Sequence, residues 1–381
     1  MKAVCVLQYG HVYPPSAGMA IRTFNLARMS SRYFKTTVVS CLSSKEFHFP
    51  DIDYEIDGVK IVQKKIGKST MHMKLTKAFN FYYTQYRSDM EQIVGENVTS
   101  ADLIEVEGVN LYSMAAKFEK PIIVDMHNVD YELIDFVTGW RKSVFGKYWS
   151  WKGKNYEINC LRNAKQIIVT SERDRNVYSS DESSLREKIV VIPNCIDTDR
   201  YENIETDKVV MNSEKPLILF IGSLNYLPNR IAVQDIIRMA NEMRDYSFVV
   251  VGKYSNMIEN CPENITFTNF VEDVRPYIGA ADICIAPLRL GSGTRIKILE
   301  YMAAKKPVIA TSKGVEGLEI DKDCIIIEND LLRYKEIIKD LMMDEKKRKM
   351  LGEKAQANAR NKYDWRNYVE RLRSVYESAL D

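Results

Sequence analysis

At 381 residues the chain is long enough for two domains, each burying a core of its own. With 45% hydrophobic and 28% charged residues, 17 glycines and 11 prolines, its composition is that of a globular protein and excludes fibrous and disordered classes. Its net charge of +2, from 54 basic against 52 acidic residues, excludes the strongly basic footprint of a general nucleic-acid binder, so no nucleic-acid partner is expected.

The first element, KAVCVLQ, is an apolar run too short for a signal peptide. A Gly/Pro loop, GHVYPPSAGMAIRT, leads from it into an amphipathic helix from Met19 to Ser31. TTVVSCL, VKIVQ, ADLIEVE, PIIVDM, KQIIVTS and KIVVIP follow as candidate strands, with Met114 to Lys120 as a further helix, and this is the spacing of βαβ units in a parallel sheet. Gly18 and Arg22 are candidates from the loop and the first helical turn, though a plain strand-to-helix connection with Arg22 at the surface fits equally well. His127, one of four histidines, stands at the carboxyl end of PIIVDM, where ligands gather in such sheets. Asp125 and Asn128 beside it read as loop caps. His11, His48 and His72 read as surface residues.

Two basic segments interrupt this pattern. KKIGKSTMHMKLTKAFNFYYTQYR is the looser; GWRKSVFGKYWSWKGK has five cations, no acid and five aromatic side chains, with Trp140, Val144, Tyr148 and Trp151 on one helical face. The preferred reading is a helix packing on its own domain, and the other is a peripheral contact with anionic lipid. No run reaches the length of a transmembrane helix. The seven cysteines form no CxxC and lie mostly in apolar runs, which points to buried thiols in a reducing cytoplasm.

After Pro193 a polar, irregular stretch reads as a linker, and strands resume with PLILFIG, YSFVVVG, NITFT, ADICIAPL, KPVIAT and DCIIIE. The expected organisation is α/β, with two Rossmann-like domains facing across a cleft: residues 1–195, a linker at 196–214, a second domain at 215–360 and a terminal helix at 361–381. In that tail Trp365, Val369, Leu372 and Val375 share the apolar face. DxD spellings at 51–53, 197–199 and 321–323 follow no convincing buried strand, so no metal is expected.

The most informative stretch is LRLGSGTRIKILEYMAAKKPVIAT, Leu288 to Thr311. A buried strand ends at Pro287, a loop holds Gly291 and Gly293, and a helix is expected from about Thr294. Free N–H groups in a first helical turn attract anions, and glycines let a phosphate approach the backbone. A cation there, such as Lys297, opposes the helix dipole unless a bound anion compensates. Glu300, nearly two turns in, is placed to accept from a sugar's hydroxyls. An ordinary surface pair of Lys297 with Glu300 accounts for the same spacing. Neither GxGxxG after a first strand nor GxxxxGK[ST] is present, which argues against dinucleotide and P-loop readings.

The stretch VEDVRPYIGAADICIAPLRLGSGTRIKILEYMAAKKPVIATSKGVEGLEI resembles the nucleotide-sugar segment of the GT-B glycosyltransferases of family 4, the retaining "glycosyl transferases group 1". PPSAGMAIRTFNLARM, VDMHNVDYEL, IPNCIDTDRY and FIGSLNYLPN agree in order, so the resemblance spans nearly the whole chain. It implies a retaining transfer of sugar from a nucleotide-diphosphate donor to a hydroxyl of a glycan or lipid-linked acceptor in surface polysaccharide or glycoconjugate synthesis. No cofactor is implied beyond the donor substrate. It implies further that Arg295 and Lys297 neutralise the diphosphate, Glu300 holds the ribose, and the backbone from Gly291 through Ser292 and Gly293 to Thr294 meets phosphate or sugar. Gly222 and Ser223 would lie under the diphosphate, His127 near the transferred sugar, and Gly18 in the loop facing donor and acceptor. The family commonly has a glutamate where this chain has Ser292, and a Lys after the glycine turn that GSLNYLPN lacks. An epimerase of the same fold and a non-catalytic nucleotide-sugar binder are the alternatives. The implied location is the cytoplasm, peripheral at the inner membrane face if the basic helix meets lipid.

Overall fold

The computed structural model describes residues 1–16, 18–42, 46, 48–66, 88–132, 144–206, 215–253, 261–291 and 293–381. The chain divides into two compact units: Met1–Asn194 with Ser292–Thr294 and Tyr368–Asp381, and Cys195–Gly291 with Arg295–Asn367.

The first unit is built on an eight-stranded sheet in the order β3-β4-β2-β1-β5-β6-β7-β8. Its strands are β1 (Ala3–Tyr9), β2 (Lys35–Leu42), β3 (Ile52–Ile56), β4 (Val59–Lys65), β5 (Leu103–Glu107), β6 (Ile122–Met126), β7 (Gln166–Val169) and β8 (Ile189–Val191). All pairings are parallel except β3 with β4. The strand order reverses at β1, which has β2 on one side and β5 on the other, so the carboxyl ends of β1, β5 and β6 mark the ligand-gathering position of this sheet. β3 is the strand absent from the sequence reading, because Asp53, Tyr54 and Glu55 give it a polar, exposed edge. Its signal is the turn Asp57-Gly58, both residues at positive φ, which sets Ile56 opposite Val59 in a tight hairpin.

The expected helix at 114–120 is one α turn, Tyr112–Ala115, followed by a 3-10 turn, Ala116–Phe118, that Glu119 ends in the left-handed region. The tail returns to this unit as the helix Val369–Leu380, which buries Val369, Leu372 and Val375. Its Tyr376 packs edge-on to Phe34 at 5.3 Å. Trp365 is not on that helix but in the separate turn Trp365–Tyr368.

The second unit carries a wholly parallel six-stranded sheet, β11-β10-β9-β12-β13-β14. Its strands are β9 (Leu217–Ile221), β10 (Ser247–Val251), β11 (Ile265–Asn269), β12 (Ile283–Ala286), β13 (Val308–Ala310) and β14 (Ile326–Ile327). Phe220, Phe248, Ile285 and Tyr334 are among the buried side chains of its core. The helix expected from about Thr294 starts at Ile296 and runs to Ala303, and Arg295 stands before it in extended backbone at the cap position. The helix Leu227–Glu242 ends under an amide bracket: Asn264 Nδ2 donates to the carbonyls of Ala240, Met243 and Tyr246 at 2.9 to 3.0 Å. No helix among the described residues is long and apolar enough to cross a membrane.

Since the Asn264 amide reaches the carbonyls of Ala240 and Met243, which each also accept one backbone N–H, and that of Tyr246, Asn264→Ala should destabilise the protein by about 1–3 kcal/mol in urea unfolding. An unchanged transition midpoint would show that water replaces the bracket without cost.

Candidate functional site

At the strand ends of the first unit lies a group of buried charges. Arg22 is 1% exposed, which corrects its reading as a surface residue of the first turn. Its Nε and Nη2 donate to the two oxygens of Asp125 at 2.8 and 2.7 Å, and its Nη1 donates to the carbonyl of Pro193 and to Asn194 Oδ1. Asp125 is therefore no loop cap but the anchor that ties the first helix to β6. Gly18 is the exposed first residue of that helix, Gly18–Ser30.

Next to Asp125, Glu107 ends β5 and accepts from His127 Nε2 at 2.6 Å. Glu105, two residues earlier on the same strand, is wholly buried, and burial first, then the charges of Glu107 and Asp125, push its carboxyl well above the usual range. Glu107, Asp125 and His127 present ligand atoms within 4.8 Å of one another, a spacing that suits an ion. Both oxygens of Asp125 are already taken by Arg22, whose positive charge repels a cation, so the trio is better described as an ion-pair network. Four of the six DxD acids have cations of their own: Asp53 faces Lys60 and Lys64, Asp199 pairs with Arg366, Asp321 with Lys362 and Asp323 with Lys354.

The loop after His127 is held from below by Glu157, a buried residue of the helix Val144–Asn163. Its carboxylate accepts from the backbone N–H groups of Asp130 and Tyr131 and from the hydroxyl of Tyr178, which also donates to the Asn128 carbonyl. Gly293 and Thr294 are counted with this unit. Thr294 Oγ1 lies 2.5 Å from Asn194 Nδ2, and a Cβ on Gly293 would fall 2.1 Å from Asn128 Oδ1. His11 is not a surface residue: it stacks on Phe49 at 4.0 Å and lies 3.2 Å from Glu46. His48 is exposed, and His72 lies outside the described residues.

In the second unit the helix Ile296–Ala303 lies over the turn that follows β9. Tyr301 accepts from the Ile221 N–H at 2.7 Å, closing the end of the strand. Lys297 Nζ donates to Asn229 Oδ1 at 3.0 Å and sits 4.3 Å from the centre of the Phe220 ring. Asn229 in turn donates to the Ser223 carbonyl at 2.9 Å and lies against Gly222, where a Cβ would come within 2.7 Å of its side chain. The predicted turn residues Gly222 and Ser223 and the predicted cation are thus joined through one amide. Burial, with Arg295 nearby and against the charge of Glu300, lowers the Lys297 amine to about 7.

Arg295 is buried beside Gly291, where a Cβ would meet its Nη2 at 2.9 Å and the Tyr226 hydroxyl at 3.1 Å. Lys297 and Glu300 do not pair with each other, so the surface-pair account fails. Glu300 is buried and accepts from the Tyr201 hydroxyl at 2.8 Å. Burial raises its carboxyl, and the bond from Tyr201 and the charge of Lys297 work against that rise. Ser292 lies outside the described residues.

The model of the family described as Glycosyltransferase Family 4 matches residues 17–200, and that of Glycosyl transferases group 1 matches residues 215–344. The chain belongs to the group 1, family 4 glycosyltransferases. It is 24% identical to spore coat protein SA of Bacillus subtilis (strain 168) over 249 residues, 57% of this chain and 66% of that protein. It is 26% identical to the 2-deoxystreptamine glucosyltransferase of Streptomyces kanamyceticus over 179 residues, 42% of this chain and 45% of that one. In both cases the match spans less than two thirds of the relative's own length. Among solved structures the fold is like that of Anabaena Alr3699/HepE, determined in complex with UDP and glucose, with TM-score 0.71, 14% identity, 99% of this chain and 100% of that one covered.

For a family 4 chain the sequence reading missed Asn229, Tyr201 and Glu157. Asn229 was legible only as part of GSLNYLPN, and Tyr201 and Glu157 carry no local signal because their partners are 99 and 21 to 27 residues away. The aromatic and basic helix departs from expectation as well. Tyr148 and Trp151 are 50% and 62% exposed, so these two side chains of that face are open to solvent, and Lys152 Nζ sits 5.1 Å from the Trp149 ring. Trp140 and the segment 67–87 lie outside the described residues.

Arg22→Ala would leave Asp125 charged and unpaired in the interior, a loss of about 3–5 kcal/mol. Guanidinium unfolding should show this, with part recovered in the neutral pair R22M/D125N. A loss under about 1 kcal/mol would mean that the pair is no anchor.

Proposed function

We propose that this chain transfers a sugar from a nucleoside-diphosphate donor to a hydroxyl of a glycan or lipid-linked acceptor, with retention of anomeric configuration. One observation carries the reading: a single short helix presents Lys297, partly buried and cross-linked by Asn229 to the Gly222-Ser223 turn, and one turn later the buried carboxylate of Glu300. A lysine partly withdrawn from water, its amine lowered to about 7, is unfavourable in an empty fold and is stabilised by an incoming anion. A carboxylate farther along the helix suits the hydroxyls of a ribose. That UDP is bound by the similarly folded Anabaena protein supports a uridine or related nucleotide here.

In this reading the bond between the anomeric carbon and the diphosphate oxygen breaks as the acceptor oxygen bonds to that carbon. The acceptor proton passes to the departing diphosphate. Lys297 and Arg295 stabilise the charge on the leaving group, so catalysis is positioning and electrostatics, with no protein nucleophile and no metal required. Gly291, Ser292, Gly293 and Thr294 supply backbone to phosphate or sugar, and Gly222 and Ser223 line the diphosphate. In the first unit His127 meets the transferred sugar and Gly18 the donor and acceptor, while Arg22 acts through Asp125. The exposed Tyr148 and Trp151, with Lys147 and Lys152, support a peripheral contact with anionic lipid at the cytoplasmic face, where a lipid-linked acceptor for surface polysaccharide would reside.

A panel of nucleoside diphosphates and their sugars, tested by calorimetry and then with lipid-linked acceptors, checks this reading. Lys297→Ala should cut transfer by about 100-fold or more with the circular dichroism spectrum unchanged. Isomerised donor sugar formed without acceptor would replace transfer by epimerisation, and binding without turnover would reduce the protein to a binder.

Affinity for the preferred diphosphate should also depend on pH. The amine is charged below its value of about 7 and discharges above it, so binding should weaken on the order of ten-fold between about pH 6.5 and about pH 8.5. A flat profile would mean that Lys297 does not meet the anion.

A further inference from the structure

The register of the first sheet sets Glu107 of β5 opposite Asp125 of β6, and Glu105 lies two residues back on the same strand. Three carboxylates therefore share one end of the sheet, all at most 5% exposed. The permanent cation beside them is Arg22, and Asp125 takes both of its forward prongs. Glu107 is left with a single bond, to His127, and its Oε1 has no hydrogen-bond partner among the described residues. Burying a carboxylate on those terms costs several kcal/mol and returns little to the fold. A residue that weakens the fold and bonds to one side chain alone is retained for that side chain.

We infer that Glu107 is the positioning residue of His127: by accepting the Nε2 proton it fixes the ring at the end of β6 and leaves Nδ1 as the nitrogen offered to an oxygen of the bound sugar. The inference rests on the reading of His127 as a ligand-facing residue, and it assigns Glu107, on which neither the motif nor the family resemblance had drawn. The arrangement follows the general pattern in which the partner of one ring nitrogen decides what the other presents.

The groups facing the ring are Glu107 from β5, Asp125 from β6, Arg22 from the first helix and Asp130 from the following loop. Burial pulls the imidazole down. The bond and charge of Glu107, helped by Asp125, outweigh burial and Arg22, and His127 ends above its ordinary value. That rise favours the doubly protonated ring, the form in which Nδ1 is a donor. Without the carboxylate, burial would prevail and the ring would turn neutral.

With four histidines in the chain, the imidazole nitrogens of the full-length protein can be followed by NMR through a pH titration, the His127→Asn variant identifying the His127 signals. Glu107→Gln keeps the size and removes the charge. It should move the His127 midpoint down by about one pH unit or more and change the tautomer of the neutral ring. The same midpoint and tautomer in E107Q and wild type would overturn the inference.

The kinetic arm uses the best donor from the screen. E107Q should lower kcat about ten-fold with the donor KM unchanged, and E107Q/H127N should be no slower than H127N alone. Additive losses would show that Glu107 acts on the fold and not through His127, and would overturn the assignment. If wild-type protein transfers no sugar at all, the proposed function falls, and the titration still decides whether Glu107 governs the ring.

Discussion

The buried pair of Arg22 and Asp125 is the constraint from which the first unit is organised. A guanidinium taken out of water is tolerable only when each of its prongs is met, and here Asp125 meets two while Pro193 and Asn194 meet the third. Those contacts join the first helix, the end of β6 and the last residues of Met1–Asn194, three pieces of chain that are far apart in sequence. Once Asp125 is committed to Arg22, the acids beside it must find other solutions. Glu105 moves towards its neutral form, and Glu107 turns to His127.

The second unit handles charge differently. Among the described residues Lys297 has no carboxylate partner; it has an amide oxygen and an aromatic face, and burial first, then the charge of Arg295, makes its amine easily discharged. Glu300 has a tyrosine hydroxyl where a cation could have been. Both groups are left in states that a polar ligand would improve, which is consistent with the binding role proposed for them. Neutral partners also orient the two side chains without cancelling their charges.

Much of this was legible along the chain. Every strand predicted from a β-branched run is present, and the central ones β5, β6, β10 and β12 are the clearest, because a strand buried on both faces must be apolar almost throughout. The loop glycines and the order of Arg295, Lys297 and Glu300 pointed to an anion and a hydroxyl-rich neighbour, since helix ends and phosphates obey local rules. The edge strand β3 was missed where an exposed face allowed Asp53, Tyr54 and Glu55. The first helical turn was misjudged at Arg22, because a residue type that is almost always solvated gives no sign of its rare burial. Tyr148 and Trp151 erred in the other direction, being apolar in type and open to solvent.

By itself the sequence determined two α/β sheets, the place of the glycine loop and the residue types that a nucleotide sugar would need. Those follow from periodicity and backbone chemistry, which act over a few residues. Only the tertiary structure decided which partner each charge received: Asp125 for Arg22, His127 for Glu107, Asn229 for Lys297, Tyr201 for Glu300. Pairing is a matter of distance in space and of dielectric, and strands or helices 20 to 103 residues apart contribute the partners. The chemistry a side chain can perform is set at that level, after the fold has chosen its neighbours.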